Sequence, residues 1–327
     1  MRPCSDRIPV MTANLGFVHA SRRAGEFGVH SLDHFTLAVP DLAIARHFYS
    51  AFGLHTPEEP TGLGLYATDH SHRWGILTEG SRKRFSHKSF AAWEEDFLAI
   101  RDRLQILHIP LLDPPKHATA EGLWFRDHDD QIVEIFIGEK TSPAAKSPFS
   151  HPVAPAGVRG AEGRAAAALV RPRRLAHILQ FTRDVPRAIA FYTQILGLRL
   201  SDRSGDGIAF LHGIHGSDHH MLAFAKSAAP GLHHCSWDVG SLGEVGLGAM
   251  QMADKGYSKG WGLGRHVLGS NYFHYVRDPW GSYSEYSSDI DYIPADCDWP
   301  AADHPPADSI YLWGPQIPPD FIANHEV

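Results

Sequence analysis

The sequence predicts an α+β protein made of two similar halves. Three observations support this fold class. Strand-like and helix-like segments follow in the same order in both halves, short phrases recur at matching spacings, and a segment rich in Pro, Ala, Gly and Ser separates the halves. The repeat is far longer than the roughly 20–50 residues of a solenoid unit, so it indicates duplicated domains.

Each half begins with a strand followed by a helix. Residues 32–41 (LDHFTLAVPD) and residues 175–184 (LAHILQFTRD) each place a histidine in an apolar run and end on an aspartate. Asp41 and Asp184 stand where a side chain can cap the first turn of a helix. A Phe-Tyr pair then follows at the same distance from the histidine in both halves. We therefore expect the two segments to fold alike.

The later elements of the two halves also match. In each half a further strand precedes a second helical stretch. In the second half this stretch has a capping-box start, Ser241 to Glu244, and is expected to end at Gly256. Each half then closes on a strand that carries a glutamate, Glu134 or Glu285, at the same distance after an Arg-Asp pair.

These patterns predict the domain boundaries. The segments are an irregular N-terminal arm (1–29), a first domain (30–140), a linker (141–171), a second domain (172–295) and a Pro-rich tail (296–327). Because the tail contains several aromatic residues, which are rarely left in water, we expect it to pack on the second domain.

The composition agrees with a soluble metalloenzyme and does not favour a nucleic-acid partner. The chain has 327 residues and a formal charge of −7, which provides no basic surface for nucleic acid. Its three cysteines form no CxxC pair, which suits a reducing compartment. No apolar run is long enough to cross a bilayer and no signal peptide is recognisable, so we expect a cytoplasmic protein. The 23 histidines favour metal ligation or proton transfer.

Two histidines and one glutamate of the second half are candidate metal ligands. His177 lies mid-strand, on one face with Leu179 and Phe181 by the period-two alternation of a strand. Glu285 lies in a strand whose other residues favour burial, and a buried carboxylate is costly unless paired or bound to a metal. Two His and one carboxylate on separate strands can occupy one face of a metal, as in non-haem Fe(II) oxygenases.

The second histidine ligand has two candidates, His233 and His234, which face opposite sides of a regular strand. Alignment of the two halves places His87 of the first half opposite His234. We therefore predict His234 as the ligand, with His233 on the far face of the sheet.

Three further side chains could handle protons near such a metal. His220 stands at the start of an apolar strand, and His266 follows the glycine-rich segment 260–264, which suits a loop or bulge at a pocket mouth. Tyr275 and Glu285 are separated by an even number of positions, so on a continuous strand they would share a face. Together with a metal, these residues would form a catalytic site.

This segment resembles the motif of the type I extradiol ring-cleavage dioxygenases, a group of the vicinal oxygen chelate superfamily. The motif has a Gly two residues before a His, then a variable stretch, an apolar residue, Tyr, an acid, Pro, Gly and finally Glu. The matching residues here are Gly264, His266, Tyr275, Asp278, Pro279, Gly281 and Glu285. His274 departs from the motif, because the family usually has an aliphatic residue there.

The resemblance implies two tandem vicinal-oxygen-chelate domains over roughly residues 30–295. Each would be a pair of βαβββ modules that form a curved, mostly antiparallel sheet around a pocket. It also implies a catechol-type substrate, O2 as co-substrate, a muconic semialdehyde-type product and, by analogy, a homo-oligomer. The absence of Arg from segment 260–264 disfavours a carboxylated catechol bound there.

The same resemblance assigns roles to the candidate residues. His177, His234 and Glu285 would bind Fe(II), with Mn(II) as the less favoured metal. His220 would act as the acid/base residue near O2. His266 and Tyr275 would hydrogen-bond the substrate oxygens.

Two other functions remain open within the superfamily. A glyoxalase or a 4-hydroxyphenylpyruvate dioxygenase would need a metal site but not His220, His266 and Tyr275 together. A non-enzymatic, ligand-sequestering protein would need neither these residues nor Glu285.

The first half is expected to be a non-catalytic partner. His34, His87 and Glu134 stand at the positions equivalent to the three candidate metal ligands of the second half. However, Trp124 takes the position of Tyr275, and the first half has no equivalent of the segment Gly264-Arg265-His266.

Overall fold

The computed structural model describes residues 21–67, 71–115 and 122–327. Residues 1–20 of the predicted N-terminal arm, including Cys4, lie outside this range. The helices in the described residues are α1 (Leu42–Ala51), α2 (Glu94–Ile106), α3 (Val185–Leu196) and α4 (Leu242–Asp254), with short 3-10 turns at 164–166 and 306–308. In this part of the chain no helix has the length and apolar character needed to span a membrane.

The strands fall into two groups along the chain. Those of the first half are β1 (Ser31–Val39), β2 (Glu58–Glu59), β3 (Gly62–Tyr66), β4 (Arg73–Glu79), β5 (Arg84–Ala92), β6 (Gly122–Arg126) and β7 (Ile132–Ile137). Those that follow are β8 (Arg174–Thr182), β9 (Arg199–Ser204), β10 (Ile208–His212), β11 (Ser217–Asp218), β12 (Leu222–Lys226), β13 (Gly231–Asp238), β14 (Gly260–His266), β15 (Tyr272–Arg277), β16 (Tyr283–Ser288), β17 (Tyr292–Ile293), β18 (Ala302–Asp303) and β19 (Tyr311–Trp313).

The two halves form two large curved sheets of matching topology. The first sheet has the order β2-β3-β4-β1-β5-β7-β6, and the second has the order β18-β9-β10-β12-β8-β13-β16-β15-β14-β19. In each sheet the first strand of the half lies at the centre, parallel to one neighbour and antiparallel to the other. The predicted α+β class and its duplication are confirmed. The short strands β11 and β17 pair separately.

The predicted helix starts are observed. The side chains of Asp41 and Asp184 accept hydrogen bonds from the backbone N–H groups of Ile44 and Arg187, which caps α1 and α3. Ser241 caps α4 in the same way. These local contacts fix where each helix leaves its preceding strand.

The helix-bearing faces of both sheets share one apolar core. Phe52, at the end of α1, stacks on Tyr286 of β16 with ring centroids 3.9 Å apart. Along β8 the residues alternate, because Ile178 belongs to this core whereas His177 and Leu179 line a cavity on the opposite face. Each sheet is therefore covered on its inner face by the other half, and the opposite face of the second sheet lines the cavity.

A buried polar cluster also joins the halves. The hydroxyl of Tyr192 on α3 donates to Asp127 Oδ2 at 2.6 Å, and Lys88 Nζ of β5 lies 3.2 Å from the same oxygen. The buried carboxylate is thus paired by a cation and by a hydroxyl, as a buried charge requires.

The C-terminal tail contributes to the second sheet. β18 pairs with β9 and β19 pairs with β14, and the Phe321 ring packs 5.0 Å from that of Tyr275. The tail also contacts the first half, because Glu326 accepts a hydrogen bond from the backbone N–H of Phe85. It therefore crosses the boundary between the halves, which the sequence did not predict.

Candidate active site

The predicted ligands His177, His234 and Glu285 converge on the outer face of the second sheet. They lie on β8, β13 and β16, which are adjacent strands. One ligand atom from each lies within 4.8 Å of those of the other two. Glu285 Oε2 is 3.3 Å from His177 Nε2 and 3.6 Å from His234 Nε2. This spacing leaves room for one ion between the three atoms.

The polar atoms of this cluster need a further partner. Glu285 is fully buried, and Oε1 accepts a hydrogen bond from Asn271 Nδ2 at 3.1 Å. Within the described residues, Glu285 Oε2 and His234 Nε2 make no hydrogen bond. Unsatisfied buried groups of this kind are costly, and a divalent cation would satisfy both. The donor set therefore fits a metal that keeps open coordination positions.

Electrostatics favour the ligating protonation states. Burial alone would raise the pKa of Glu285, but interactions with His177 and His266 hold that pKa well below its usual range. Burial, and then the neighbouring His233, lowers the pKa of His234 well below its usual range. An ionised carboxylate and a neutral imidazole are the forms that bind metals.

The predicted position of His233 on the far face is wrong. The pairing of β13 with β8 shifts between Leu232 and His234, so His233 is the extra residue of a β-bulge. Its ring also lines the cavity, with Nδ1 2.7 Å from His234 Nδ1 and Nε2 2.8 Å from the carbonyl oxygen of Phe321. Strict alternation fails here because a bulge places two successive residues on one face.

The three proposed proton-handling residues reach the same cavity. The His220 ring lies 4.0 Å from that of His177, measured between centroids. Tyr275 pairs directly with Glu285 across β15 and β16, which confirms that they share a face. The Tyr275 hydroxyl lies 2.9 Å from His266 Nε2. Burial, together with the charge of Glu285, raises the pKa of Tyr275, so its hydroxyl stays protonated at neutral pH.

One local expectation needs correction. His220 does not start a strand, because it lies in the bend before β12. The glycine-rich segment forms strand β14 and contains a bulge, one of the two expected alternatives, as a register shift between Gly262 and Gly264. A Cβ on Gly260 would lie 1.8 Å from the carbonyl oxygen of Tyr275. Glycine at position 260 therefore allows β14 and β15 to pack closely.

The cavity has a volume of about 460 Å³ and a polar base under apolar walls. The walls include Leu179, Ile208, Phe210, Leu268, Ile317 and Phe321. Sequence reasoning missed Asn271, which holds Glu285, and it missed the tail residues. Neither has a recognisable pattern, because their contacts depend on the tertiary fold.

The first half contains a similar cluster that is satisfied internally. One ligand atom from each of His34, His87 and Glu134 also lies within 4.8 Å of the others. However, Glu134 Oε2 accepts a hydrogen bond from the Ser89 hydroxyl, and His87 Nε2 lies 3.2 Å from Thr36 Oγ1. Because of these contacts, Glu134 Oε2 and His87 Nε2 have hydrogen-bond partners without a cation, unlike Glu285 Oε2 and His234 Nε2 in the second cluster.

The first cluster also differs from the second at two positions proposed to handle protons. Trp124 pairs with Glu134 as Tyr275 pairs with Glu285, so an indole replaces the phenol. Among the described residues of the first half no strand matches β14, and hence none carries an equivalent of His266. These differences support the expectation of a non-catalytic first half.

The ligand assignment predicts different effects for the two adjacent histidines. His234→Ala removes a ligand atom and should abolish metal retention during purification. His233→Ala leaves all three ligand atoms and should still bind metal at saturating concentration, though less tightly. Metal content per chain measures both. If His233→Ala alone loses the metal, the ligand assignment is wrong.

The second prediction concerns the triple change His34→Ala, His87→Ala and Glu134→Ala. Metal content and turnover per folded chain should stay close to those of the wild type, because the cluster is satisfied without an ion. Circular dichroism would verify folding. A halving of the bound metal, or loss of turnover in a folded variant, contradicts the assignment of a non-catalytic first half.

Solved structures share this fold. A halotolerant catechol dioxygenase superposes with a TM-score of 0.72 at 20% identity, covering 91% of this chain and 98% of that one. A Mn(II)-bound glyoxalase from Novosphingobium aromaticivorans gives a TM-score of 0.70 at 22% identity, covering 91% and 99%. At these identities the likeness concerns the fold alone.

Sequence relatives define the family. Residues 174–286 match the family model described as the Glyoxalase/Bleomycin resistance protein/Dioxygenase superfamily. Biphenyl-2,3-diol 1,2-dioxygenase of Paraburkholderia xenovorans is 30% identical over 88% of this chain and 95% of its own length. Metapyrocatechase 2 of Cupriavidus necator is 53% identical over 91% of this chain and 93% of its own length. The chain therefore belongs to the type I extradiol dioxygenases of the vicinal oxygen chelate superfamily.

Proposed function

We propose that this protein cleaves the ring of a catechol-type diol next to its two hydroxyl groups, using O2 and Fe(II) held by His177, His234 and Glu285. The observation that carries the proposal is that three ligands and three proton-handling residues line one cavity. Metapyrocatechase 2, at 53% identity, supports the same reaction class.

The metal would supply Lewis acidity. Held by His177, His234 and Glu285 on three neighbouring strands, it would favour the ionised form of the diol oxygens. Mn(II) also binds histidine nitrogen and carboxylate oxygen. Metal analysis of protein purified without air would show whether Fe(II) or Mn(II) is bound.

His220 is placed to move a proton at the substrate. It lines the cavity beside His177, so a diol that chelates the metal would lie within its reach. Burial, and next the neighbouring His177, lowers the pKa of His220 well below its ordinary value, so the ring is neutral and can take the hydroxyl proton and later return it. We assign His220 as the acid/base residue.

His266 and Tyr275 are placed to orient the diol. His266 Nδ1 lies 2.7 Å from the carbonyl oxygen of Ile310, which can only accept, so Nδ1 carries the proton and Nε2 is an acceptor. Tyr275 donates to that Nε2 in the absence of substrate. The same hydroxyl can be redirected to a substrate oxygen, since both lie at the polar base of the cavity.

The cavity walls favour catechols with an apolar substituent. Their lining is mainly aliphatic and aromatic, and no Lys or Arg of the described residues takes part in it. A carboxylate on the ring would be buried without a cation there, which is unfavourable. The relatives named for biphenyl-2,3-diol and 3-methylcatechol support this substrate class.

The ring-cleavage proposal predicts O2 consumption. Protein purified without air and loaded with Fe(II) should consume one O2 per catechol, with the rise in visible absorbance of a muconic semialdehyde-type product. An alkyl- or aryl-substituted catechol should be turned over better than a carboxylated one. No O2 uptake with any catechol, from protein that contains Fe(II) or Mn(II), contradicts the proposed function and favours a glyoxalase-like or sequestering protein.

The acid/base assignment predicts the behaviour of His220→Phe. The variant should keep its metal and bind catechol without O2, yet turn over about 10²–10⁴-fold more slowly, the usual worth of a general acid/base group. His47→Phe, at an exposed histidine on α1, is the matched control and should match the wild type. Near-normal turnover of His220→Phe, or loss of its metal, removes His220 from the mechanism.

A further inference from the structure

Two pairs of consecutive histidines border the cavity, His219 with His220 and His233 with His234. In each pair the two Nδ1 atoms face each other, at 3.0 Å in the first pair and 2.7 Å in the second. A hydrogen bond between two ring nitrogens requires one that carries a proton and one that does not. The partner of the outer ring therefore decides which histidine donates.

In the first pair the outer partner is a carboxylate. His219 Nε2 lies 2.9 Å from Asp202 Oδ2, and a carboxylate can only accept. Asp202 Oδ1 also accepts from the backbone N–H of Ala302 at 3.0 Å and lies 2.9 Å from His304 Nε2. The proton of His219 is therefore on Nε2, and its Nδ1 accepts.

This arrangement determines the tautomer of His220. With His219 Nδ1 as acceptor, the proton of His220 must be on its own Nδ1. Its Nε2 then has a free lone pair, and none of the described residues hydrogen-bonds to that atom. The assignment applies to a His219 ring that carries a single proton.

The second pair follows the same logic with a backbone acceptor. His233 Nε2 lies 2.8 Å from the carbonyl oxygen of Phe321, which can only accept. The proton of His233 is thus on Nε2, and His234 must donate from Nδ1. His234 Nε2, the atom 3.6 Å from Glu285 Oε2, is left unprotonated as coordination requires.

We propose that His219 and His233 are positioning residues, each of which fixes the tautomer of the histidine that follows it. Asp202 through His219 sets His220 as a base, and the tail carbonyl of Phe321 through His233 sets His234 as a ligand. The His220 part rests on the proposed function. The His234 part requires only that a metal binds.

Asp202→Asn tests the first pair with a change of one functional group. The N–H of Ala302 favours the amide oxygen at the Oδ1 position, so the amide NH2 group would face His219 Nε2. His219 would then carry its proton on Nδ1, and His220 would be forced to carry its own on Nε2. We expect kcat to fall about 10²–10⁴-fold, as for a catalytic histidine in the wrong tautomer.

The metal content of Asp202→Asn, and its dissociation constant for catechol without O2, should stay within about threefold of the wild type. The control is Asp303→Asn, which changes an exposed aspartate on β18 that pairs with Arg203. It should leave kcat unchanged. A kcat of Asp202→Asn within twofold of the wild type overturns the proposal, and so does an equal loss of metal and activity.

Variants of His219 separate the tautomer effect from a structural one. The oxygen of His219→Asn can accept from His220 Nδ1, whereas His219→Leu fills similar space without an acceptor. We expect His219→Asn to keep kcat within about tenfold of the wild type and His219→Leu to lose a further tenfold or more. Equal losses in both variants would falsify the role of the acceptor.

The second pair is tested by metal affinity, without any substrate. Competition with a chelator, using Mn(II) and Fe(II) as probes, should show about 10–100-fold weaker binding for His233→Leu and a smaller loss for His233→Asn. Equal affinities in the wild type and His233→Leu overturn this part. If the wild type consumes no O2 with catechols, the proposed function fails, yet the affinity measurement still decides the role of His233.

Discussion

The negative charge of Glu285, held where no water reaches it, is the constraint on which the second half depends. A buried carboxylate is tolerated only with partners, and the partners here come from every neighbouring element. His234 approaches from the neighbouring strand β13, His177 approaches from β8 on the far side of β13, and Asn271 approaches from the turn before β15. The order and register of the central strands therefore determine which polar side chains surround Glu285, in addition to how the apolar side chains pack.

The sequence predicted the ligand column because a repeat preserves register. Alignment of the halves identified His234 even though alternation alone left two candidates, and the structure brings His234 together with His177 and Glu285. The same reasoning placed His233 on the wrong face, because a bulge arises from the pairing of two strands and cannot be recognised in the sequence of one strand. Contacts from the tail, such as that of Phe321, involve distant segments without periodicity and could not be predicted.

Few contacts distinguish the candidate metal site of the second half from the equivalent cluster of the first half. Both keep two histidines and a glutamate on equivalent strands. In the first half the Ser89 hydroxyl turns to the glutamate, whereas the equivalent hydroxyl of Ser236 makes no hydrogen bond within the described residues. At the position equivalent to Tyr275, the first half has Trp124 and therefore no phenol O–H.

The halves share one apolar interior. Phe52 covers Tyr286, and Tyr192 reaches across to Asp127, so each half supplies solvent exclusion for the other. Removal of either half would expose a large apolar surface of the other half to water. The two halves should therefore unfold together in one cooperative transition.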